Sequence, residues 1–319
     1  MRPRCRPVEK FVCLSSLSDL ERVCDAHGQR GRQPVGQRGE IVIEAPWFGP
    51  RIDLRPLLAK QQSAFLTLLE ELDDKDWTQP TICPGWAVQD IAAHVLGDHI
   101  SRLSTHRDGN HPLKPDDGEQ FPAFLHRIND EWVTAARRIS PALLIDLLST
   151  VGDQILQFWH SVDLDALGWN VSWAGPDPAP AWLDLARDFT EYWTHHQQIA
   201  EATGRAGLTE PEYLGPVLDT FIRALPHTLR DLDTTTGSTL QVTVTGPAGG
   251  TWTCTRGSIR WAITRGPQPA PDATVVLDSD TAWRLCTRGI SPSQAAQRAN
   301  TEGDQELTDA ALNIVSIIY

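Results

Sequence analysis

WLDLARDFTEYWTHHQQIAEATG, residues 182–204, decides how the chain is to be read. The pattern predicts one helix from about Trp182 to Thr203, ended by Gly204, the residue best able to take the left-handed backbone of a helix terminus. Within it Glu191 and His195 stand four residues apart, so at about 100° per residue their side chains lie roughly 40° from each other on one face. Two such side chains can converge on one ion. His196 points about 100° away, off that face.

Four further helices are expected upstream. From Asp53 the run LLAKQQSAFLTLLEEL repeats apolar residues at i, i+3, i+4 and i+7. After DWTQPTICPGW, punctuated by Pro84 and Gly85, a second helix is expected from about Val88 to Thr105. A third follows from Pro122 to Arg138 and a fourth from Pro141 to about Leu167, before the breaker WAGPDPAPAW. Helices without strands over so long a stretch imply a bundle.

Beyond GRAGLTEPEY the period changes. A helix in YLGPVLDTFIRALPHTLRDL is expected to kink or end at Pro226. STLQVTVTG, GTWTCTR, SIRWAIT and ATVVLD alternate at period two between Gly/Pro turns and read as four strands. DTAWRLCTRG, SPSQAAQRAN and GDQELTDAALNIVSII are expected to close the chain as helices. The fold class is therefore α+β, with a helical domain over residues 53–206 and a smaller mixed domain over 209–319. Residues 1–48, with eight Lys/Arg and the run HGQRGRQPVGQRGE, are expected to be a disordered extension or an over-extended start.

The formal net charge of −13 argues against a nucleic-acid partner, which would need clustered cations for the phosphates. No window approaches the roughly 20 apolar residues of a membrane span, and EKFVCLSSLSDL is too short and too polar for a signal peptide. A cytoplasmic location and a small-molecule partner are expected. The six cysteines are scattered with no C-x-x-C pair, which excludes a disulfide framework and a thiolate zinc site. A metal would have to be held by histidine and carboxylate.

His94, in DIAAHVLGDH at 90–99, supplies a third donor if its helix neighbours the one at 182–203. A His₂Glu set suits Zn, Fe, Ni or Mn and leaves positions open for water or substrate. Each residue also has a plainer reading: a lone core histidine is more often bonded to a carbonyl, and an E-x-x-x-H pair is more often exposed. Asp98 and His99 are reserve candidates, with solvent exposure as the alternative. Trp86, Trp132, Trp159, Trp182 and Trp193 pack between helices or line a cleft. Arg284 and Arg288 could clamp an anionic substrate, or simply solvate the surface.

Taken together, TICPGWAVQDIAAHVLGDH, RDFTEYWTHHQQIAEATGR and DTAWRLCTRG with EGDQELTDAALNIVSII resemble the mycothiol-dependent maleylpyruvate isomerase-like proteins, over about residues 53–319. The resemblance implies a DinB-like four-helix bundle followed by a small sterol-carrier-like α/β domain. It implies a divalent metal, zinc foremost and Ni, Fe or Mn as alternatives, held by His94, Glu191 and His195, and a catalytic arginine near Arg288. It also implies mycothiol as thiol cosubstrate, a metal-bound thiolate attacking an electrophilic small molecule, and either S-transferase or isomerase chemistry in a monomer or homodimer. Only four of the 28 basic residues are lysine, a bias of GC-rich genomes that fits an actinobacterial supply of mycothiol. Two other readings stay open: a non-catalytic ligand-binding or regulatory protein on the same scaffold, and a His₂Glu metalloenzyme using water or oxygen.

Overall fold

Helix α1 (Arg55–Glu70) carries Pro56 in its first turn, where a missing N–H breaks no helical bond, and turns Leu58, Gln61, Phe65, Leu68 and Leu69 inward. The computed structural model describes residues 46–175 and 178–316. Helix α2 (Val88–Arg102) is buried along most of its length. Its start is tied by the Asp90 carboxylate, which accepts from the Ala87 N–H at 3.0 Å and from Arg137 at 2.9 Å. The helix was expected to reach Thr105; instead its α-helical bonding stops at Arg102 and Leu103–Arg107 winds as one wider π turn.

Helix α3 (Phe121–Ala136) lies against α2. The Trp132 indole N–H donates to the Ala93 carbonyl at 2.7 Å, and the ring fills the space where a Cβ on Gly97 would meet the indole nitrogen at 2.5 Å. Glycine at 97 is what lets the two helices close. Helix α4 (Pro141–Ser161) follows, with Leu144, Leu148, Ile155 and Trp159 inside. Helix α5 (Ala181–Thr203) ends, as the sequence predicts, at Gly204 with φ 67°. Helices α1, α2, α4 and α5 pack on one another.

The stretch expected to be free of strands contains a hairpin. Helix α4 stops at Ser161, short of Leu167, because Val162 is extended. Strand β1 (Leu167–Asn170) then pairs antiparallel with β2 (Pro178–Pro180). A Cβ on Gly168 would lie 2.7 Å from the Ala181 Cα, so the hairpin packs directly on the first residue of α5.

In the second half, α6 (Pro211–Ile222) is followed by the short α7 (Leu225–Thr228). The break falls at Arg223 and Ala224, and Pro226 stands in the first turn of the new helix, where proline is tolerated. The four predicted strands form as β3 (Thr239–Thr245), β4 (Gly250–Arg256), β5 (Trp261–Arg265) and β6 (Ala273–Asp278), joined by a fifth, β7 (Asn300–Gly303). The sheet order is β5-β4-β3-β6-β7, antiparallel except for the central β3/β6 pair. Strand β7 corrects the expected helix over SPSQAAQRAN, of which only α9 (Pro292–Ala296) is helical; α8 (Ser279–Cys286) precedes it and α10 (Gln305–Ala311) follows β7.

One buried apolar cluster runs through both halves. Trp193 of α5 meets Trp283 of α8 edge to face, ring centroids 5.4 Å apart. Asp219 of α6 accepts from the Trp252 indole at 2.8 Å and from Arg223, whose other terminal nitrogen donates to the Phe48 carbonyl. The extension expected over residues 1–48 lies outside the described residues except for Pro46–Phe48, a 3-10 turn whose Phe48 is buried. Among the described residues no helix is long and apolar enough to cross a membrane.

Candidate metal centre

Helices α2 and α5 run antiparallel along a polar seam. His94 faces Glu191 and His195 at one end, and Arg102, two turns further along α2, faces Asp184 and Asp188 at the other. On α5 these residues recur at spacings of three or four, and on α2 His94 and Arg102 are eight apart, which keeps them on one face of each helix.

The donor atoms of His94, Glu191 and His195 lie within 4.8 Å of one another. Glu191 Oε1 is 3.2 Å from His195 Nε2 and 3.8 Å from His94 Nε2, and the two imidazoles meet edge to face with centroids 4.8 Å apart. Both histidines are nearly buried, while the Glu191 side chain keeps 24% of its exposure, so the group is reachable from one side. His195 Nδ1 is 2.8 Å from Gln198 Oε1, an atom that can only accept. The proton is thereby fixed on Nδ1, and in the neutral ring Nε2 presents a lone pair to a carboxylate oxygen. Such an arrangement asks for a proton or a cation between them. A histidine whose far nitrogen donates to a side-chain oxygen is also the usual disposition of a metal ligand, so the residues present fit a divalent ion.

The electrostatics agree. Burial opposes ionisation of Glu191, but the neighbouring His195 and His94 outweigh it and hold its pKa well below the ordinary carboxylate value. Burial pulls the His94 pKa down, and the charges of Asp98 and Glu191 more than reverse this, leaving it raised. Asp98 is raised, chiefly by burial.

Of the two residues given solvent exposure as an alternative, His99 is inside and Asp98 lies between. Asp98 is partly buried with Oδ2 3.5 Å from His94 Nε2. His99 is buried edge-on against Tyr192, with centroids 4.7 Å apart, and burial pushes its pKa down to about 4. His196 lies off the shared face, as its position on the helix predicts, with its ring 6.1 Å from that of Phe65. The loop before α2 brings Trp86 over His94 at 5.1 Å. It also carries Cys83, whose thiol is pushed up to about 11 by burial, partly offset by a Thr81 hydrogen bond and reinforced by the charge of Glu191.

Below this group, Arg102 donates to Asp184 and Asp188, Arg187 pairs with the same two carboxylates, and the Trp159 indole donates to Asp188 at 3.2 Å. The sequence signal for this cluster is the continuation of two helical faces: Arg102 is eight residues past His94, and Asp184 and Asp188 are seven and three before Glu191. Of the two arginines considered as clamps, Arg284 is bound to Glu201 of α5 and Asp280, and lies 4.3 Å over Trp283. It joins the two halves. Arg288 is exposed just past α8, in left-handed backbone with φ 56°.

Comparison with known proteins places these features in context. Residues 58–200 match the family model described as mycothiol maleylpyruvate isomerase N-terminal domain. No curated protein matches. Among solved structures, the crystal structure of the mycothiol-dependent maleylpyruvate isomerase is similar at 15% identity and a TM-score of 0.47, covering 78% of this chain and 91% of that one. A histidine-to-alanine mutant of that isomerase gives 15% identity and a TM-score of 0.46 over the same shares.

Proposed function

We propose that the chain, whose residues 58–200 match the model of the mycothiol maleylpyruvate isomerase N-terminal domain, is a metal-dependent enzyme that uses mycothiol to act on an electrophilic small molecule. The observation that carries this reading is the Nε2 lone pair of His195 held 3.2 Å from Glu191 Oε1, with His94 Nε2 at 3.8 Å on the other side. His94, Glu191 and His195 would hold the ion. When bound, a divalent ion supplies Lewis acidity, lowering the pKa of a thiol placed on it.

The chain's own residues do the rest. Gln198 keeps the His195 ring turned so that Nε2 faces inward. The exposed part of Glu191 leaves room for an incoming thiol, and Trp86 packs against the His94 ring. The sulfur would add to the electrophilic carbon of the substrate. If the same C–S bond breaks again after rotation about the former double bond, the outcome is cis/trans isomerisation. If another group leaves with the electron pair instead, the outcome is S-transfer. Exposed Arg288 would hold a substrate carboxylate. The same reading takes α1, α2, α4 and α5 as a DinB-like four-helix bundle and the sheet half as sterol-carrier-like.

Elemental analysis tests the proposal. Purified protein is expected to hold about one equivalent of divalent metal, and Glu191→Ala about a tenth of that or less. His195→Ala is expected to lose metal and mycothiol consumption together; an active, metal-free variant would refute the mechanism. Recovery of free thiol after turnover separates isomerase from transferase.

A further inference from the structure

The two facing helices offer more than three donors. On α5 a carboxylate and an imidazole stand one turn apart, Glu191 and His195; on α2 an imidazole and a carboxylate do the same, His94 and Asp98. The Oδ2 atom of Asp98 lies 3.5 Å from His94 Nε2, the same nitrogen that Glu191 Oε1 approaches at 3.8 Å. One imidazole nitrogen offers one proton or one lone pair, so it cannot satisfy two carboxylates at once. A cation can.

From this we infer that Asp98 is a fourth ligand, making the centre a His₂AspGlu site. The inference rests on the metal reading above. The contacts 3.2, 3.8 and 3.5 Å form a string, His195 to Glu191 to His94 to Asp98. Ligand atoms about 2.1 Å from one ion stand about 3.0 to 3.4 Å apart at octahedral or tetrahedral angles, so modest tightening brings each neighbouring pair to coordination spacing. Asp98 stands outside the tight three-residue set, and its side chain retains 32% exposure, so reaching the ion requires it to turn inward. Among the described residues, His94 is the side chain within ion-pair distance of Asp98, so nothing else ties the carboxylate away. Two carboxylates with two neutral imidazoles also balance the charge of a divalent ion before any thiol binds.

The experiment is a cobalt titration of metal-free protein, read by competition with a chromophoric chelator and by the visible spectrum of the bound ion. Asp98→Asn is expected to bind Co²⁺ about 10- to 100-fold more weakly, with altered visible band intensity because the coordination number changes. Asp98→Glu, which keeps the carboxylate, is expected to bind more tightly than Asp98→Asn and serves if the amide variant fails to fold. If both variants bind within about twofold of the wild type with its spectrum, Asp98 is not a ligand, while the three-residue centre stands. If the wild type itself binds no Co²⁺, the metal reading falls and the fourth ligand with it.

Discussion

Arg102 of α2 grips Asp184 of α5 with both terminal guanidinium nitrogens, each 3.0 Å from a carboxylate oxygen, inside the protein, about two turns along α2 from His94 and about three along α5 from His195. This forked contact fixes the register of the two helices that carry the candidate ligands. One turn of slip would move His94 about 5.4 Å along α5 and separate the donors.

Removing the fork should therefore be felt in stability first. Arg102→Met leaves Asp184 and Asp188 buried with Arg187 as their remaining cation, and loss of one partner from a buried ion cluster costs about 3–5 kcal/mol. Urea unfolding at neutral pH measures this. A change under about 1 kcal/mol would mean that the helices are held in register by apolar packing alone.

Gln198 makes no contact with the proposed ion and is expected to matter through His195. Gln198→Leu deprives Nδ1 of its acceptor and frees the ring to turn, so metal affinity should fall about 10- to 100-fold while the thermal midpoint of the metal-free protein moves little. Competition with a chelator reads the affinity. Equal affinity in the two proteins would remove Gln198 from the orienting role.

His99 sets an acid limit. Its folded pKa, pushed down to about 4 by burial, lies below the unfolded value of about 6.5. At pH 7 the ring is neutral in the folded state and mostly neutral in the unfolded one, so its effect is small. As pH falls below the unfolded value only the unfolded chain takes the proton, so stability is lost by up to about 1.4 kcal/mol per pH unit until the folded pKa is reached. Denaturant unfolding of wild type and His99→Phe at pH 7 and pH 5 isolates this contribution. The gap between the two proteins should shift in favour of the variant at pH 5; an unchanged gap would show that His99 does not titrate this way.

What the sequence disclosed and what it hid follow a physical line. Helix α5, its end at Gly204, strands β3, β4 and β6, and the Glu191/His195 pair are each encoded within a few residues, by period, by turn chemistry and by four-residue spacing. Strand β7 has no such signal: Asn300–Gly303 is exposed throughout and pairs only because β6 offers an edge. The β1/β2 hairpin is hidden by its prolines, which ordinarily mark a break and are tolerated in strands only at edges. The burial of His99 against Tyr192 and the pairing of Arg102 with Asp184 depend on partners some 80 to 95 residues away, and the local spacing shows only which helix face each residue shares. Arg284 illustrates the same limit from the other side, because Glu201 claims a guanidinium whose sequence context suggested an anion clamp.

The division of the donors between α2 and α5 has a consequence for how the chain is assembled. Glu191 and His195 are already side by side on an isolated helix, whereas His94 joins them only when nearly a hundred residues of intervening chain have been closed into a loop, at an entropic cost that must be met by contacts made at the same time. A metal ion that gains a ligand at that moment favours the closed arrangement over every open one. Its residence on the polypeptide would then act as a gauge of maturation, weak while α5 stands alone and strong once the long-range crossing is complete.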